Sequence, residues 1–285
     1  MTILAETHQS RFERFWDLHD GFFVIPTVWD TLSAIASEDA GFEAIATSSA
    51  ALGYANGILS SERIQFETVV QKIGEIVNAV QIPVSVDLED GYPEVTGDIG
   101  DSIRRVIDVG VVAANIEDSP ARHDVPLVAA EDHARAIARA REAADRAGRG
   151  FFINGRTDVF LLEDGLPHSR SVEEAIRRAN LYIDAGADGI YVPGQGLSDE
   201  DVAQLVEGIR GPLTLLAPPQ GASFAQWREI GVARVSLGTL VIRNAFAAIQ
   251  TQLAELRDGN VVTAFPAVDI DAVLRRTSPS LVAAE

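Results

Sequence analysis

The chain has 285 residues, of which 47% are apolar, and it carries a formal net charge of −19 with no cysteine. The missing cysteines exclude disulfides, thiolate metal sites and a cysteine nucleophile. The negative charge disfavours nucleic acid and anionic membranes as partners, and an anionic substrate would need a locally positive site. Because the first residues lack a signal-peptide pattern and no apolar run approaches about 18 residues, we expect a cytoplasmic protein.

Short apolar runs alternate with longer helix-like stretches, such as Ser171–Ala185, along most of the chain. This alternation predicts parallel strands connected by crossover helices. Eight strands are expected, at Phe22–Pro26, Glu43–Thr47, Pro83–Asp87, Val112–Glu117, Phe151–Arg156, Gly189–Val192, Leu213–Leu216 and Arg234–Ser236. Eight such units favour a closed (β/α)8 TIM barrel over an open doubly wound sheet, and the glycine-rich phrase at Gly53–Gly57 is not a dinucleotide fingerprint.

The pattern predicts one barrel domain over residues 21–256. A helical extension over residues 1–20 is expected to cap the bottom of the barrel. A C-terminal extension over residues 257–285 is expected to form further helices or to reach a neighbouring subunit.

Carboxylates follow two neighbouring strands of the predicted barrel. Asp87 and Glu89 are two residues apart at the end of the third strand, so they share a face, and Glu117 ends the fourth strand. Active sites of such barrels lie at the carboxyl ends of the strands, and carboxylates there suit Mg²⁺ or Mn²⁺. The alternative is that Asp87 caps the next helix, although the next clear helix starts only near Asp98.

An arginine and a run of hydroxyl side chains end two other strands. Arg156 is placed to clamp a substrate carboxylate with two hydrogen bonds, or else it pairs with Glu117 or Asp158 as scaffolding. Consecutive small residues at the second strand end offer donors to an anionic group, or they simply cap a helix. These residues are Thr47, Ser48 and Ser49.

Four further residues are weaker candidates. His123, in the loop after the fourth strand, and Tyr54 and Tyr92 offer acid or base groups, and each is also consistent with a solvated side chain. Arg243 follows the eighth strand and either adds a second contact to a substrate carboxylate or balances acidic neighbours.

Taken in order, several phrases resemble the isocitrate lyase/phosphoenolpyruvate mutase superfamily. They are Val28–Ala34, Gly41–Ala50, Val86–Tyr92, Asn115–Ser119 and Gly155–Asp158. The resemblance implies a (β/α)8 barrel whose last helix is exchanged between the subunits of a dimer or tetramer. It also implies Mg²⁺ near Asp87, Glu89 and Glu117, partly through water, with Thr47, Ser48 and Ser49 lining the substrate site and Arg156 binding the substrate.

The sequence departs from the superfamily pattern in the catalytic loops. The isocitrate-type lyases carry a Lys-Lys/Arg-Cys-Gly-His loop after the fourth strand, and this chain has no cysteine. The phosphonate enzymes carry a lysine where Ser119 stands here, and an aspartate near the metal where Asn56 is the nearest match. The general acid or base is therefore not identified by the resemblance.

The resemblance implies a Mg²⁺-dependent lyase or decarboxylase that cleaves a C–C bond of a small 2-oxo or 2-hydroxy acid through a metal-stabilised, pyruvate-like enolate. A phosphonopyruvate-type P–C mutase or hydrolase is a second possibility, against which the missing lysine argues. A barrel that binds 2-oxo acids without turning them over is a third. In each case the expected ligand is a small carboxylate.

Overall fold

A computed structural model of the chain describes residues 7–59, 62–120, 127–161, 168–194, 196–218, 223–260 and 268–277. The described strands form one parallel sheet in the order β1-β9-β8-β7-β6-β5-β4-β3-β2. They are β1 Phe23–Ile25, β2 Thr27–Val28, β3 Ile45–Thr47, β4 Val84–Asp87, β5 Ala113–Glu117, β6 Phe152–Arg156, β7 Gly189–Val192, β8 Leu213–Leu216 and β9 Arg234–Ser236. The predicted barrel is confirmed, and all eight predicted strands are present with ends shifted by at most two residues.

The first barrel strand consists of two pieces that are separated by Pro26. β1 pairs with β9, whereas β2 pairs with β3, so together they close the sheet into a barrel. Proline has no N–H to donate to a strand ladder, which accounts for the break. The carbonyl of Pro26 still accepts a hydrogen bond from the Ala46 N–H at 2.9 Å, so the two edges remain joined there.

Helices alternate with the strands, and their apolar residues pack against outward-facing strand residues in one large core. They are α1 His8–Asp17, α2 Thr31–Asp39, α3 Ser49–Ala55, α4 Phe66–Ala79, α5 Pro93–Thr96, α6 Ile99–Asp108, α7 Ala130–Ala147, α8 His168–Asp184, α9 Asp199–Gly208, α10 Phe224–Ile230, α11 Leu240–Arg257 and α12 Ile270–Thr277, with a 3-10 turn at Leu18–Asp20. α2 begins where it does because Asp30 and Ser33 form a capping box.

The helix before the barrel carries one fully buried side chain, Phe15. Its ring makes edge contacts with Phe23 at 6.3 Å and with Phe152 at 5.6 Å between ring centroids. Phe23 is the first residue of β1 and Phe152 is the first residue of β6, so α1 packs against the amino-terminal end of the barrel. The predicted domain bounds, with an N-terminal extension over residues 1–20, stay predictions.

The barrel interior is polar in its middle layer. Along β4, Val84 and Val86 belong to the outer core, so Ser85 and Asp87 face inward. On β6, Asn154 donates to Asn115 on β5 at 2.9 Å. TIM barrels usually fill this layer with branched apolar side chains, so packing alone does not account for the polar residues here.

The C-terminal helices differ in how they pack. α12 lies against α2 of the same chain. α11 has no buried residue, and its exposed apolar side chains are Leu240, Phe246, Ile249, Leu253 and Leu256. Among the described residues, we find no helix that is both long enough and apolar enough to cross a bilayer.

Candidate active site

Three strand ends bring Asp87, Glu117 and Arg156 together at the carboxyl end of the barrel. β5 lies between β4 and β6, in a register that sets Asp87 beside Asn115 and Glu117 beside Arg156. Arg156 Nη1 lies 2.6 Å from Glu117 Oε2 and 3.3 Å from Asp87 Oδ1. The two carboxylates therefore share one guanidinium group.

Asp158 holds the other edge of the same guanidinium. Its carboxylate accepts from Arg156 Nε at 2.6 Å and from Arg156 Nη2 at 3.0 Å, which is the two-point geometry of a bidentate pair. We refer to Asp87, Glu117, Arg156 and Asp158 as the Arg156 cluster. The pairing of Arg156 with Glu117 or Asp158, considered as an alternative from the sequence, describes these contacts.

A buried network behind β5 and β6 fixes Asp158. The Asp158 N–H donates to Asp118 Oδ1 at 2.9 Å, and the hydroxyl of Ser119 donates to Asp158 Oδ2 at 2.5 Å. Asp118 is fully buried and also accepts from Arg178 at 3.0 Å and from the Tyr182 hydroxyl at 2.7 Å. Arg178 and Tyr182 were not among the predicted site residues, because both come from α8 and meet Asp118 only in the fold.

The three hydroxyl residues at the end of β3 have two different roles. Ser49 donates to Asp87 Oδ2 through its hydroxyl at 2.7 Å and its N–H at 3.1 Å, and the Asp87 N–H donates to Thr47 Oγ1 at 3.2 Å. Ser48 instead caps α3, because its hydroxyl accepts from the Ala51 N–H. Thr47 and Ser49 thus orient Asp87, and their predicted contact with substrate stays a prediction.

Glu89 adjoins Glu117, whose N–H donates to the Glu89 carbonyl at 2.8 Å, but its carboxylate is held by other partners. Its carboxylate lies 3.1 Å from Arg63 Nε and accepts a short hydrogen bond from the Tyr92 hydroxyl. Glu89 and Tyr92 both have positive φ angles, 51° and 56°, a left-handed conformation that L-residues rarely adopt. The guanidinium of Arg63 also covers the Tyr92 ring at 3.5 Å. Arg63 was not among the predicted site residues, since nothing in its local sequence marks it.

Burial and like charge act together on the carboxylates of the site. Burial raises the pKa of Glu117 well above its ordinary value; Arg156 opposes this, and nearby carboxylates, Asp158 and Asp87 first, add to it. Burial also raises the pKa of Glu89 to about 7, against the opposing charge of Arg63. A nearby cation would therefore stabilise the ionised forms of both Glu117 and Glu89.

The donor set of the Arg156 cluster fits a hard divalent cation. Its three carboxylates meet one guanidinium, so ionisation of all three leaves two negative charges without a partner in the cluster. Glu117 Oε2 is buried and has no well-aligned hydrogen bond, although Arg156 Nη1 lies 2.6 Å away. Carboxylate oxygens suit Mg²⁺ and Mn²⁺. Within the described ranges no three acidic or histidine side chains already converge on one point, and Glu89 points to Arg63 instead.

The remaining candidates lie apart from this cluster or outside the description. Tyr54 and Arg243 line one apolar groove together with Phe246 of α11. Arg243 donates to the hydroxyl of Thr239 at 3.0 Å. His123 falls outside the described residues. The predicted roles of these three residues stay predictions.

The family described as phosphoenolpyruvate phosphomutase matches residues 15–257 of the chain. An uncharacterised protein of Mycobacterium tuberculosis is 34% identical over 228 residues, which cover 79% of this chain and 82% of the relative. The 2-methylisocitrate lyase of Aeropyrum pernix is 28% identical over 82% of this chain and 75% of its own.

Solved structures agree with this assignment. A protein of Burkholderia cenocepacia J2315, provisionally named a lyase/mutase, superposes with a TM-score of 0.84 at 32% identity, over 93% of this chain and 96% of the other. A phosphonopyruvate hydrolase in complex with oxalate and Mg²⁺ superposes with a TM-score of 0.81 at 25% identity, over 96% and 97%. The chain therefore belongs to the phosphoenolpyruvate phosphomutase family, within the isocitrate lyase/phosphoenolpyruvate mutase superfamily of lyases and mutases.

Proposed function

We propose that the protein is a Mg²⁺-dependent lyase or decarboxylase that cleaves a C–C bond of a small 2-oxo or 2-hydroxy acid and passes through a pyruvate-like enolate. The observation that carries this proposal is the convergence of Asp87, Glu117 and Arg156 at the carboxyl end of the barrel. This arrangement places two buried carboxylates, which can bind a metal, beside the guanidinium of Arg156, which can bind a substrate carboxylate. The Mg²⁺ of the phosphonopyruvate hydrolase structure supports the choice of metal.

Asp87 and Glu117 would hold the metal, with Asp87 fixed by the hydroxyl and N–H of Ser49. Bound there, Mg²⁺ would supply a Lewis acid that lowers the cost of negative charge on a substrate oxygen. Positioned donors and cations act strongly in a site from which water is excluded. Asp87 and Glu117 are 8% and 6% exposed, which provides such an environment.

Arg156 is suited to bind the substrate carboxylate. Asp158 occupies its Nε and Nη2 atoms, so the direction of the guanidinium is fixed by the protein. The Nη1 atom is left to face the space between Asp87 and Glu117. A substrate carboxylate that binds at this edge would have its carbonyl or hydroxyl oxygen beside the two carboxylates.

The chain's single lysine favours C–C over P–C chemistry. Lys72 lies on α4, where it pairs with Glu75 on the surface. It therefore does not replace the lysine that is missing at Ser119. Decarboxylation makes the smallest demand on such a site, because an enolate only has to be stabilised and no protein acid is needed for the bond to break.

A substrate panel tests the proposal. The protein is incubated with Mg²⁺ and oxaloacetate, 2-methylisocitrate, 2,3-dimethylmalate or phosphonopyruvate, and the release of pyruvate and of phosphate is measured separately. Pyruvate from a carbon acid without phosphate is the expected result. Asp87→Asn should abolish it, whereas Asp101→Asn, a change on the surface of α6, should not. Phosphate from phosphonopyruvate, or thermal stabilisation by an acid without turnover, would contradict the proposal.

A further inference from the structure

Arg234 is a buried arginine in the middle of the barrel. It begins β9 and is the largest side chain in the described structure with no solvent exposure. Its Nη2 atom lies 3.4 Å from Asn115 Oδ1, and Asn115 belongs to β5. Because β5 and β9 are not neighbours in the sheet, this contact passes through the barrel interior.

The guanidinium of Arg234 lacks the partners that other buried arginines have. Its Nε and Nη1 atoms have no hydrogen-bond partner among the described residues, and no carboxylate there forms an ion pair with it. Its Cζ atom lies 5.7 Å from the centroid of the Phe15 ring. Arg178, in contrast, pairs with Asp118 and Glu174. The sequence pattern did not identify Arg234, which it treated only as the first residue of a strand.

Such a residue is unfavourable for folding. Removing a guanidinium from water without a carboxylate partner costs several kcal/mol, and apolar replacements of buried charges are often neutral or stabilising. Burial lowers the pKa of Arg234 to about 10, while Tyr191 and Asp87 act in the opposite direction, so the group stays charged at neutral pH. Packing alone therefore does not account for an arginine at this position.

The chemistry that lies above Arg234 offers a reason. Asn115, which Arg234 contacts, stands beside Asp87 in the strand register, and the charge of Asp87 acts on Arg234. The polar middle layer joins Arg234 to the strand that ends in Glu117, through Asn115. The Arg156 cluster has two carboxylates in excess, so a fixed positive charge beneath it offsets part of that excess.

We propose that Arg234 is an electrostatic positioning residue, whose buried positive charge makes the site above it favourable for a dianionic substrate at the expense of fold stability and of metal affinity. The inference deepens the proposed function and rests on it. A positive charge there attracts the substrate carboxylates and the developing enolate, and it repels the divalent cation. At an effective dielectric constant near 20, two unit charges that are about 10 Å apart interact strongly enough to change an affinity on the order of tenfold.

The test uses Arg234→Met, which keeps most of the length and removes the charge, and Arg234→Lys, which retains a cation. Three quantities are measured for the full chain: the melting temperature of the metal-free protein, the Kd for Mn²⁺, and the Kd for oxalate at saturating Mn²⁺. For Arg234→Met we expect an unchanged or higher melting temperature, several-fold tighter Mn²⁺ binding and about tenfold weaker oxalate binding. Arg234→Lys should move both affinities back towards the wild-type values.

Arg178→Met is the matched control, because it removes a buried arginine that has carboxylate partners. It should lower the melting temperature, since it leaves Asp118 short of a cation. A drop of the same kind in Arg234→Met, with Mn²⁺ and oxalate affinities unchanged, would show a purely structural residue and overturn the inference. Failure of the proposed function has a different signature, namely wild-type protein that releases no pyruvate from any acid of the panel.

Discussion

Replacement of Glu117 by glutamine separates the two roles that its buried carboxylate would have. In the metal-free protein, burial already favours the uncharged form of the Glu117 carboxyl group, and Glu117→Gln makes this side chain permanently uncharged. Arg156 keeps its bidentate pair with Asp158 and its contact with Asp87, so the guanidinium is not left without partners. We therefore expect the metal-free stability to change by no more than about 1 kcal/mol, well below the usual 3–5 kcal/mol for breaking a buried ion pair.

The effect on metal binding should be larger, and thermal unfolding can measure it. A chain of 285 residues has an unfolding entropy of about 0.6 kcal/mol per degree. Mg²⁺ at 100 times its Kd contributes about 2.7 kcal/mol, which corresponds to a rise in Tm of about 4–5 °C. Loss of a ligand that weakens binding at least tenfold would leave at most about 1.4 kcal/mol, or about 2 °C.

The assay compares melting curves with and without Mg²⁺ for wild type, Glu117→Gln and Glu142→Gln, a surface change on α7. The wild type and the surface variant should show the full Mg²⁺-dependent rise, and Glu117→Gln half of it or less. Isothermal titration with Mn²⁺ should give the same order of affinities. An undiminished rise in Glu117→Gln would show that the cation binds elsewhere and would remove the basis of the proposed chemistry.

Three further predictions concern the surroundings of the site. Tyr182→Phe removes a 2.7 Å hydrogen bond to buried Asp118 and should lower the free energy of unfolding in urea by about 1.5–3 kcal/mol. Burial, with the charge of Arg234, lowers the pKa of His19 to about 3, so its contribution to stability is complete above pH 6.5 and is lost as the pH falls from 6.5 towards 3. Between pH 7 and pH 5, the free energy of unfolding measured in urea should therefore fall by up to about 2 kcal/mol less in His19→Gln than in the wild type. Leu253→Glu, on the exposed face of α11, should reduce the mass found by light scattering to that of a monomer, because the predicted helix exchange would cover this face.

Each of these three has its own contrary outcome. Unchanged urea stability in Tyr182→Phe would mean that the network behind Asp158 is already solvated. Parallel pH profiles for wild type and His19→Gln would assign the acid loss of stability to other groups. Asn244→Asp, on the opposite and exposed side of α11, is the control for Leu253→Glu, and a monomeric wild-type protein would refute the exchange of the last helix.

Much of the barrel could be predicted, because it follows from local patterns. The two-residue period of a strand places Ser85 and Asp87 on one face, and parallel strands bring their carboxyl ends to one edge. The pattern did not predict two local features of the backbone, namely the break in the first strand and the start of α8. Pro26 divides the first strand, and α8 begins at His168, one turn before the predicted start at Ser171, which lies inside the helix.

The pairing of charged side chains could not be predicted, because it depends on residues that are distant in sequence. Glu89 does lie beside Glu117, whose N–H donates to the Glu89 carbonyl at 2.8 Å, but its carboxylate pairs with Arg63, and its predicted role as a metal ligand stays a prediction. Asp158 was considered only as an alternative partner of Arg156. Its importance depends on Asp118, which lies 40 residues away and is oriented by α8. Periodicity identifies which residues reach the site, but not which of them neutralise one another.

On the proposed function, the balance of charge in the site predicts that the metal binds before the substrate. With its three carboxylates ionised, the Arg156 cluster would carry two excess negative charges on a chain with a net charge of −19, so a dicarboxylate approaching it would be repelled. The divalent cation proposed at Asp87 and Glu117 would cancel that excess, and Nη1 of Arg156 would then no longer have to compensate the two carboxylates. Arg234 adds one further positive charge from below. On the proposed function, an anionic substrate would therefore meet a favourable potential only in the metal-loaded protein, so that even a chain this acidic could select an acidic ligand.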